Sequence, residues 1–340
     1  MEKDINEVKE LLENTARDSD LKVSGEIVTL KTKEQREADK EIDNWKETKK
    51  DYIPIKEFDT AHELINCLLR TPQFNGLILH GEGGVGKTVL TLNTIKSELK
   101  ANEWDYMNGY TTPLSLAEFL YKNRNKKVII IDDTEGIFNN HLSMSLIKGG
   151  LWEVDGKRVI TYSTKSDKTD IPDQFVVNFK IIFLCNHIPN ENDSSTRAMI
   201  SRTIPYMVKF TFKEKMDICK TFVEKDPTLT PEKKKRVIEL LEKNVTETTR
   251  DFNFRTLRKL LSFVEYNDAK AEELFRATTE VDEMKEAYFK SVKVSKVVKE
   301  QRQHFMKLTG RSARTFHYVK KSVVAKMQSD KDVGATTPNK

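Results

Sequence analysis

From residue 51 onward, short apolar runs alternate with segments of helical spacing. Gly76-Leu77-Ile78-Leu79-His80, Val128-Ile129-Ile130-Ile131, Ile181-Ile182-Phe183-Leu184-Cys185 and Ile204-Pro205-Tyr206-Met207-Val208 are near-continuous rather than alternating. Strands covered on both faces read this way, because neither face meets water. Residues 88–99, 114–122, 141–151 and 195–201 between them have helical periodicity. This βαβα succession predicts an α/β protein, a parallel sheet between two layers of helices. Residues 152–179 interrupt the pattern. They hold the turn signal Asp155-Gly156 and then the alternation Arg158-Val159-Ile160-Thr161-Tyr162, which predicts a β-hairpin.

The flanks read differently. Residues 1–50 are mostly charged, with one apolar alternation at Ile27-Val28-Thr29-Leu30, and Ile42 and Trp45 as the only large apolar side chains of 31–50. That composition predicts a solvated arm, helical or partly disordered. The α/β core is then 51–211, followed by three helices over 212–267. The second opens with Thr230 as N-cap and Pro231 at the first helical position; the third starts near Asn253. A connecting helix is expected over 268–290, two helices broken at Thr309-Gly310 over 291–328, and a disordered polar tail over 329–340.

Composition narrows the function. Hydrophobic residues are 37% of the 340, enough to support a packed interior although 33% are charged. No apolar run approaches the ~18 residues of a membrane span, and Met1-Glu2-Lys3-Asp4 opens onto charge rather than a secretory leader. Cys67, Cys185 and Cys219 are scattered, which excludes a disulfide scaffold or zinc knuckle and leads to the expectation of a reducing cytoplasm. Residues 291–340 hold 12 Lys+Arg against 3 Asp+Glu, whereas the first 290 hold 46 against 50. A polyanion partner is therefore expected at the C-terminal end.

Gly81-Glu82-Gly83-Gly84-Val85-Gly86-Lys87-Thr88 fits G-x-x-x-x-G-K-[ST] in full, between an apolar strand and an amphipathic helix. Glycines at 81, 83, 84 and 86 let the backbone curl so that successive N–H groups face phosphate oxygens at a helix N-terminus. Lys87 is then expected to reach the β- and γ-phosphates of ATP, and the Thr88 hydroxyl to ligate Mg²⁺. Val128-Ile129-Ile130-Ile131-Asp132-Asp133 ends a buried strand in two acids. Asp132 is placed to hold the Mg²⁺ shell and Asp133 to polarise an attacking water, with Glu135 as its substitute.

These residues together resemble the AAA+ family of P-loop ATPases over roughly 51–267. Asn186, after the next apolar strand, looks like that family's first sensor. Ala198-Met199-Ile200-Ser201-Arg202 resembles its helix ending in Ser-Arg, which makes Arg202 the arginine-finger candidate and Arg197 the reserve. Arg255, in Asn253-Phe254-Arg255-Thr256-Leu257, stands where the family carries its second sensor. The resemblance implies strand order 5-1-4-3-2 in a three-layer αβα sandwich, a small all-α lid, and a ring or spiral homo-oligomer, a hexamer by the family's habit. One departure is the shorter Asp133 where the family usually has Glu.

The target is less sharply written. Superfamily-three helicases, a branch of the same family, carry a pore-facing hairpin between these two strands. The hairpin of this chain could present Lys157, Arg158, Lys165 and Lys168 to a nucleic-acid backbone, or be an ordinary exposed hairpin. Gln303–Leu308, the turn Thr309-Gly310-Arg311-Ser312 and Ala313–Lys321 resemble a helix-turn-helix, with Phe305, Phe316 and Val319 as its core and Arg311, Arg314, His317, Lys320 and Lys321 left for DNA. A basic helical hairpin for protein contact is the alternative. The sequence thus leaves three functions open: a replication helicase or helicase/initiator loader of phage or mobile-element type, with replication proteins as partners; a protein remodeller or transcription regulator; and a nucleotide-gated DNA clamp with little turnover.

Overall fold

The computed structural model describes residues 21–23, 26–28, 32–48, 55–133, 135–163, 171–188 and 193–334. Two short strands, β1 (Leu21–Val23) and β2 (Glu26–Val28), pair antiparallel near the N-terminus. Helix α1 (Lys33–Glu47) follows, closed by a capping box between Thr32 and Gln35. Within the arm expected here to be solvated, this helix is mostly exposed, but its last turn docks on the main body. Buried Lys46 pairs with Asp105 at 2.7 Å, and Trp45 packs edge-on to Trp104 at 5.8 Å.

The core runs α2 (Asp59–Arg70), β3 (Gly76–His80), α3 (Lys87–Glu98), β4 (Trp104–Asn108), α4 (Pro113–Lys122), β5 (Val128–Asp132), α5 (Glu135–Phe138) and α6 (His141–Leu151). An inserted pair β6 (Arg158–Thr161) and β7 (Gln174–Val177) follows, then β8 (Lys180–Cys185), α7 (Ser194–Ile200) and β9 (Ile204–Met207). The five-stranded sheet has the order β4-β5-β8-β3-β9 and every pairing is parallel. Counted along the core, that is 5-1-4-3-2, the order the resemblance implies.

The near-continuous apolar runs have the reason inferred for them. Leu77, Leu79, Val128, Ile130, Ile182 and Leu184 face one core with α2 and α3. Ile78, Ile129, Ile131, Ile181 and Phe183 face the other with α4, α6 and the β6–β7 pair. With a side-chain period of two and both faces covered, every position must be apolar. Strand β4 is the exception. At the sheet edge only Trp104 is fully buried while Tyr106 and Met107 are half-buried, so its run is mixed and no strand was legible there.

Three helices, α8 (Phe212–Lys225), α9 (Pro231–Asn244) and α10 (Phe254–Ala277), enclose a separate core of Cys219, Val237, Leu240, Leu241, Leu257, Leu260 and Phe275. Helix α10 bends at Asn267, where the backbone leaves helical φ/ψ. The continuous connecting helix expected over 268–290 is not found: 268–277 extend α10, and a new helix α11 (Glu283–Val294) starts behind the Asp282 cap. The break falls at Thr278-Thr279, β-branched residues that favour leaving a helix. Helices α11, α12 (Val298–Thr309) and α13 (Ala313–Gly334) then share a core of Tyr288, Phe305, Phe316, Val319 and Val323. Helix α13 continues past 328 into the stretch read as a disordered tail, since no Gly or Pro interrupts it before Gly334.

Candidate functional site

The loop 81–86 leaves the C-terminal end of the interior strand β3 and starts α3. Gly86 has φ 89° at the N-cap. Gly81 has φ 142°, and a Cβ there would lie 2.2 Å from the Val208 carbonyl oxygen. Gly84 has φ 77°, and a Cβ would lie 2.8 Å from the Asn253 side chain. The loop is thus wedged between the sheet and the start of α10, where only backbone fits. The Phe254 N–H donates to the Gly84 carbonyl at 3.1 Å, and buried Lys215 of α8 pairs with Glu82. Both ties bind the three-helix unit to the loop.

Lys87 is 7% exposed. Its Nζ donates to the carbonyl oxygens of Gly81 at 2.8 Å and Glu82 at 2.9 Å, and lies 3.4 Å from Asn186 Oδ1. Thr88 donates from Oγ1 to Asp132 Oδ2 at 2.8 Å. The Tyr106 hydroxyl donates to that same oxygen at 3.0 Å. Burial and the neighbouring carboxylate push the Tyr106 phenol well above its ordinary range, so it remains a donor. Asp132 Oδ1 accepts from the Asp133 N–H at 3.0 Å, and Asp133 sits in the left-handed region, φ 53°.

These groups open onto a cavity of about 560 Å³, within the range of small-molecule sites. One wall is polar, made by Gly84, Gly86, Lys87, Thr88, Asp132, Asp133 and Asn186. The other is apolar, made by Phe58, Phe222, Phe254, Leu257 and Leu261, with Arg255 and Arg258 from α10. The donor set suits a nucleoside triphosphate with a divalent cation: hydroxyl and carboxylate oxygens for a hard ion, an amine and a helix N-terminus for phosphates, and an aromatic wall for a base.

The remaining expected residues distribute as follows. Val85 buries its side chain in the core, and Glu82 and Gly83 line a second cavity of about 360 Å³ beside Lys215; these three contribute backbone to the loop. Arg202 precedes β9, which runs parallel to β3, so it lies at the opposite end of the sheet from the loop. Its guanidinium bonds the Ala198 carbonyl and stacks 4.6 Å over the Trp152 ring. Arg197 is exposed on α7, and Lys157 is exposed beside the Asp155-Gly156 turn. Arg158 corrects the sequence expectation. It is 7% exposed and donates to the carbonyls of Gly150, at 2.9 Å, and Phe179. The alternation that makes Val159 and Thr161 face outward turns Arg158 inward. Burial holds its pKa below the ordinary arginine value. Arg311, Arg314, His317 and Lys321 are exposed, and Lys320 is half-buried. Lys165, Lys168 and the Glu135 side chain lie outside the described residues.

Sequence reasoning missed Tyr106, because its strand went unrecognised, and Arg258, although it stands one helical turn after Arg255. The aromatic wall was also missed, since Phe58, Phe222 and Phe254 converge only in three dimensions.

No family model matches the chain, and no curated protein matches it. Among solved structures, the chain is similar to AMPPCP-bound DnaA from Aquifex aeolicus (14% identity, 84% of this chain and 90% of that one, TM-score 0.47). It is also similar to the Aeropyrum pernix ORC1 protein in complex with DNA (13%, 82% and 85%, 0.45), and to the Thermotoga maritima RuvB Holliday junction branch migration motor (15%, 77% and 84%, 0.43). All three are distant likenesses. No helix of the described residues is long and apolar enough to cross a membrane.

Proposed function

We propose that this chain is an ATP hydrolase of AAA+ type that works as an oligomer on DNA. The observation that carries the reading is the convergence of Lys87, Thr88 and Asp132 on one cavity, closed on its far side by Phe58, Phe254 and Arg255. Lys87 exchanges its present carbonyl partners for the β- and γ-phosphates. Thr88 and Asp132 are the residues that would hold a magnesium ion, which would supply positive charge beside the phosphates. Asp133 accepts a proton from the attacking water, and Asn186, within reach of Lys87, positions that water. Arg255 and Arg258 stabilise the phosphates from the lid.

Arg202 cannot serve its own site from the opposite end of the sheet. Its assigned role is that of a finger completing a neighbouring subunit's site, so hydrolysis depends on assembly. Such a residue is worth about 10³–10⁵ in rate. Arg202→Ala is expected to bind nucleotide normally yet lose that factor in the assembled state; unchanged hydrolysis would transfer the role to Arg197. The exposed basic positions of α13 and the excess charge of 291–340 support contact with DNA phosphates. Replication work, as helicase or loader, is the finer assignment.

The deciding experiment is ATPase rate across protein concentration, with and without single- and double-stranded DNA. Stimulation by DNA above a concentration threshold is expected. Indifference to DNA would favour a protein target. Removing 291–340 is expected to weaken DNA binding and flatten its salt dependence, and an unmoved salt slope would sink the tail as a DNA arm.

A further inference from the structure

We propose that Tyr106 is a positioning residue for the cation half of this site, its hydroxyl fixing the Asp132 carboxylate in the orientation that receives a nucleotide-bound divalent ion. This rests on the ATP-site reading above. Asp132 accepts from three donors. Two of them, the Thr88 hydroxyl in the first turn of α3 and the N–H of Asp133, next to Asp132 in the chain, come from beside the phosphate loop and from the end of β5. Tyr106 is the one that arrives from another strand, at 3.0 Å.

The register explains the reach. Tyr106 pairs with Ile130 across the parallel β4–β5 ladder, so its ring lies on the face that Asp132, two residues on, also occupies. A diagonal neighbour on one face is within reach of a long side chain, and the phenol spans the gap to meet the carboxylate at 3.0 Å. The ring is held from behind. Trp45 of α1 lies 5.7 Å away at 53°, and the buried Lys46–Asp105 pair anchors that helix beside it. Asp105 also accepts from the Tyr106 N–H at 2.9 Å. Packing alone would be satisfied by phenylalanine. The hydroxyl, aimed at the one carboxylate expected to take the cation, is what packing does not explain. A carboxylate held by a fixed donor need not reorganise when the ion arrives, the usual work of an outer-shell partner.

The test uses the full chain, Tyr106→Phe, and binding of a non-hydrolysable ATP analogue in EDTA and across a Mg²⁺ titration. Mn²⁺ binding followed by electron paramagnetic resonance is the second readout. Affinity in EDTA and the melting temperature of the free protein are expected to match wild type. The Mg²⁺ concentration giving half-maximal enhancement should rise about tenfold, and Mn²⁺ affinity should fall by a similar factor. Mg²⁺-enhanced binding in both proteins with the same midpoint overturns the inference alone. Equal weakening with and without Mg²⁺ assigns Tyr106 to packing and overturns it too. A wild-type chain that takes no analogue at all removes the ATP-site reading and this inference together.

Discussion

Lys87 and Arg158 occupy the phosphate loop and the inserted β6–β7 pair, and by burial they are the same residue twice. Each is 7% exposed, and each gives its charge to two backbone carbonyls, Gly81 and Glu82 for the lysine, Gly150 and Phe179 for the arginine. Their surroundings separate them. Lys87 stands at the floor of a cavity with Thr88 and Asp132 beside it. Arg158 is sealed between the end of α6 and the strand leading to β8, and lines none of the cavities described above. A desolvated amine on the floor of an open space is available to a ligand that can share its charge; a desolvated guanidinium in a closed joint ties one stretch of backbone to another.

That contrast breaks cleanly under mutation. The largest effect is expected for Lys87→Ala, which should reduce ATP turnover to background while the fold survives. Steady-state hydrolysis checks this, and retained turnover would move the site elsewhere. Arg158→Ala should do the opposite. It strips two buried carbonyls of their donor, about 1–3 kcal/mol for each unsatisfied group, so a loss of roughly 3 kcal/mol in a denaturant titration is expected, with the salt slope of DNA binding unchanged. A reduced slope would return Arg158 to the DNA surface. Removing the three-helix unit's grip on the loop by Lys215→Met should cost less. It leaves Glu82 free and is expected to loosen nucleotide affinity several-fold by equilibrium binding, without touching the amine; unchanged affinity would make the Glu82–Lys215 pair irrelevant to the site. The smallest effect belongs to Lys157→Ala. An exposed turn lysine should change stability by no more than about 0.5 kcal/mol, and thermal melting suffices to check it.

The same contrast explains how much could be read beforehand. The central strands were legible because β3, β5 and β8 are buried on both sides and their sequences have no freedom to be polar. The edge strand β4 was not, since Trp104-Asp105-Tyr106-Met107-Asn108 serves a core, an ion pair and a carboxylate in turn. The phosphate loop was legible because its chemistry is local: consecutive N–H groups, one lysine, one threonine. Tyr106 was hidden with its strand. Arg158 was misread because its immediate neighbours resemble an exposed hairpin, and the carbonyls that claim it come from residues 8 and 21 positions away.

The linear order of residues therefore settled what depends on neighbours: the curl of the glycine loop, the caps at Thr32, Thr230 and Asp282, and the run of apolar side chains that forces a strand inside. Folding decided what depends on distant approach. It chose which cations face a cavity and which are buried in a joint, and it brought a tyrosine from the sheet edge to the carboxylate of β5. It also set three phenylalanines from three helical segments around one space. Burial and long-range hydrogen bonding are properties of surroundings, and a residue's surroundings are assembled only when the chain closes on itself.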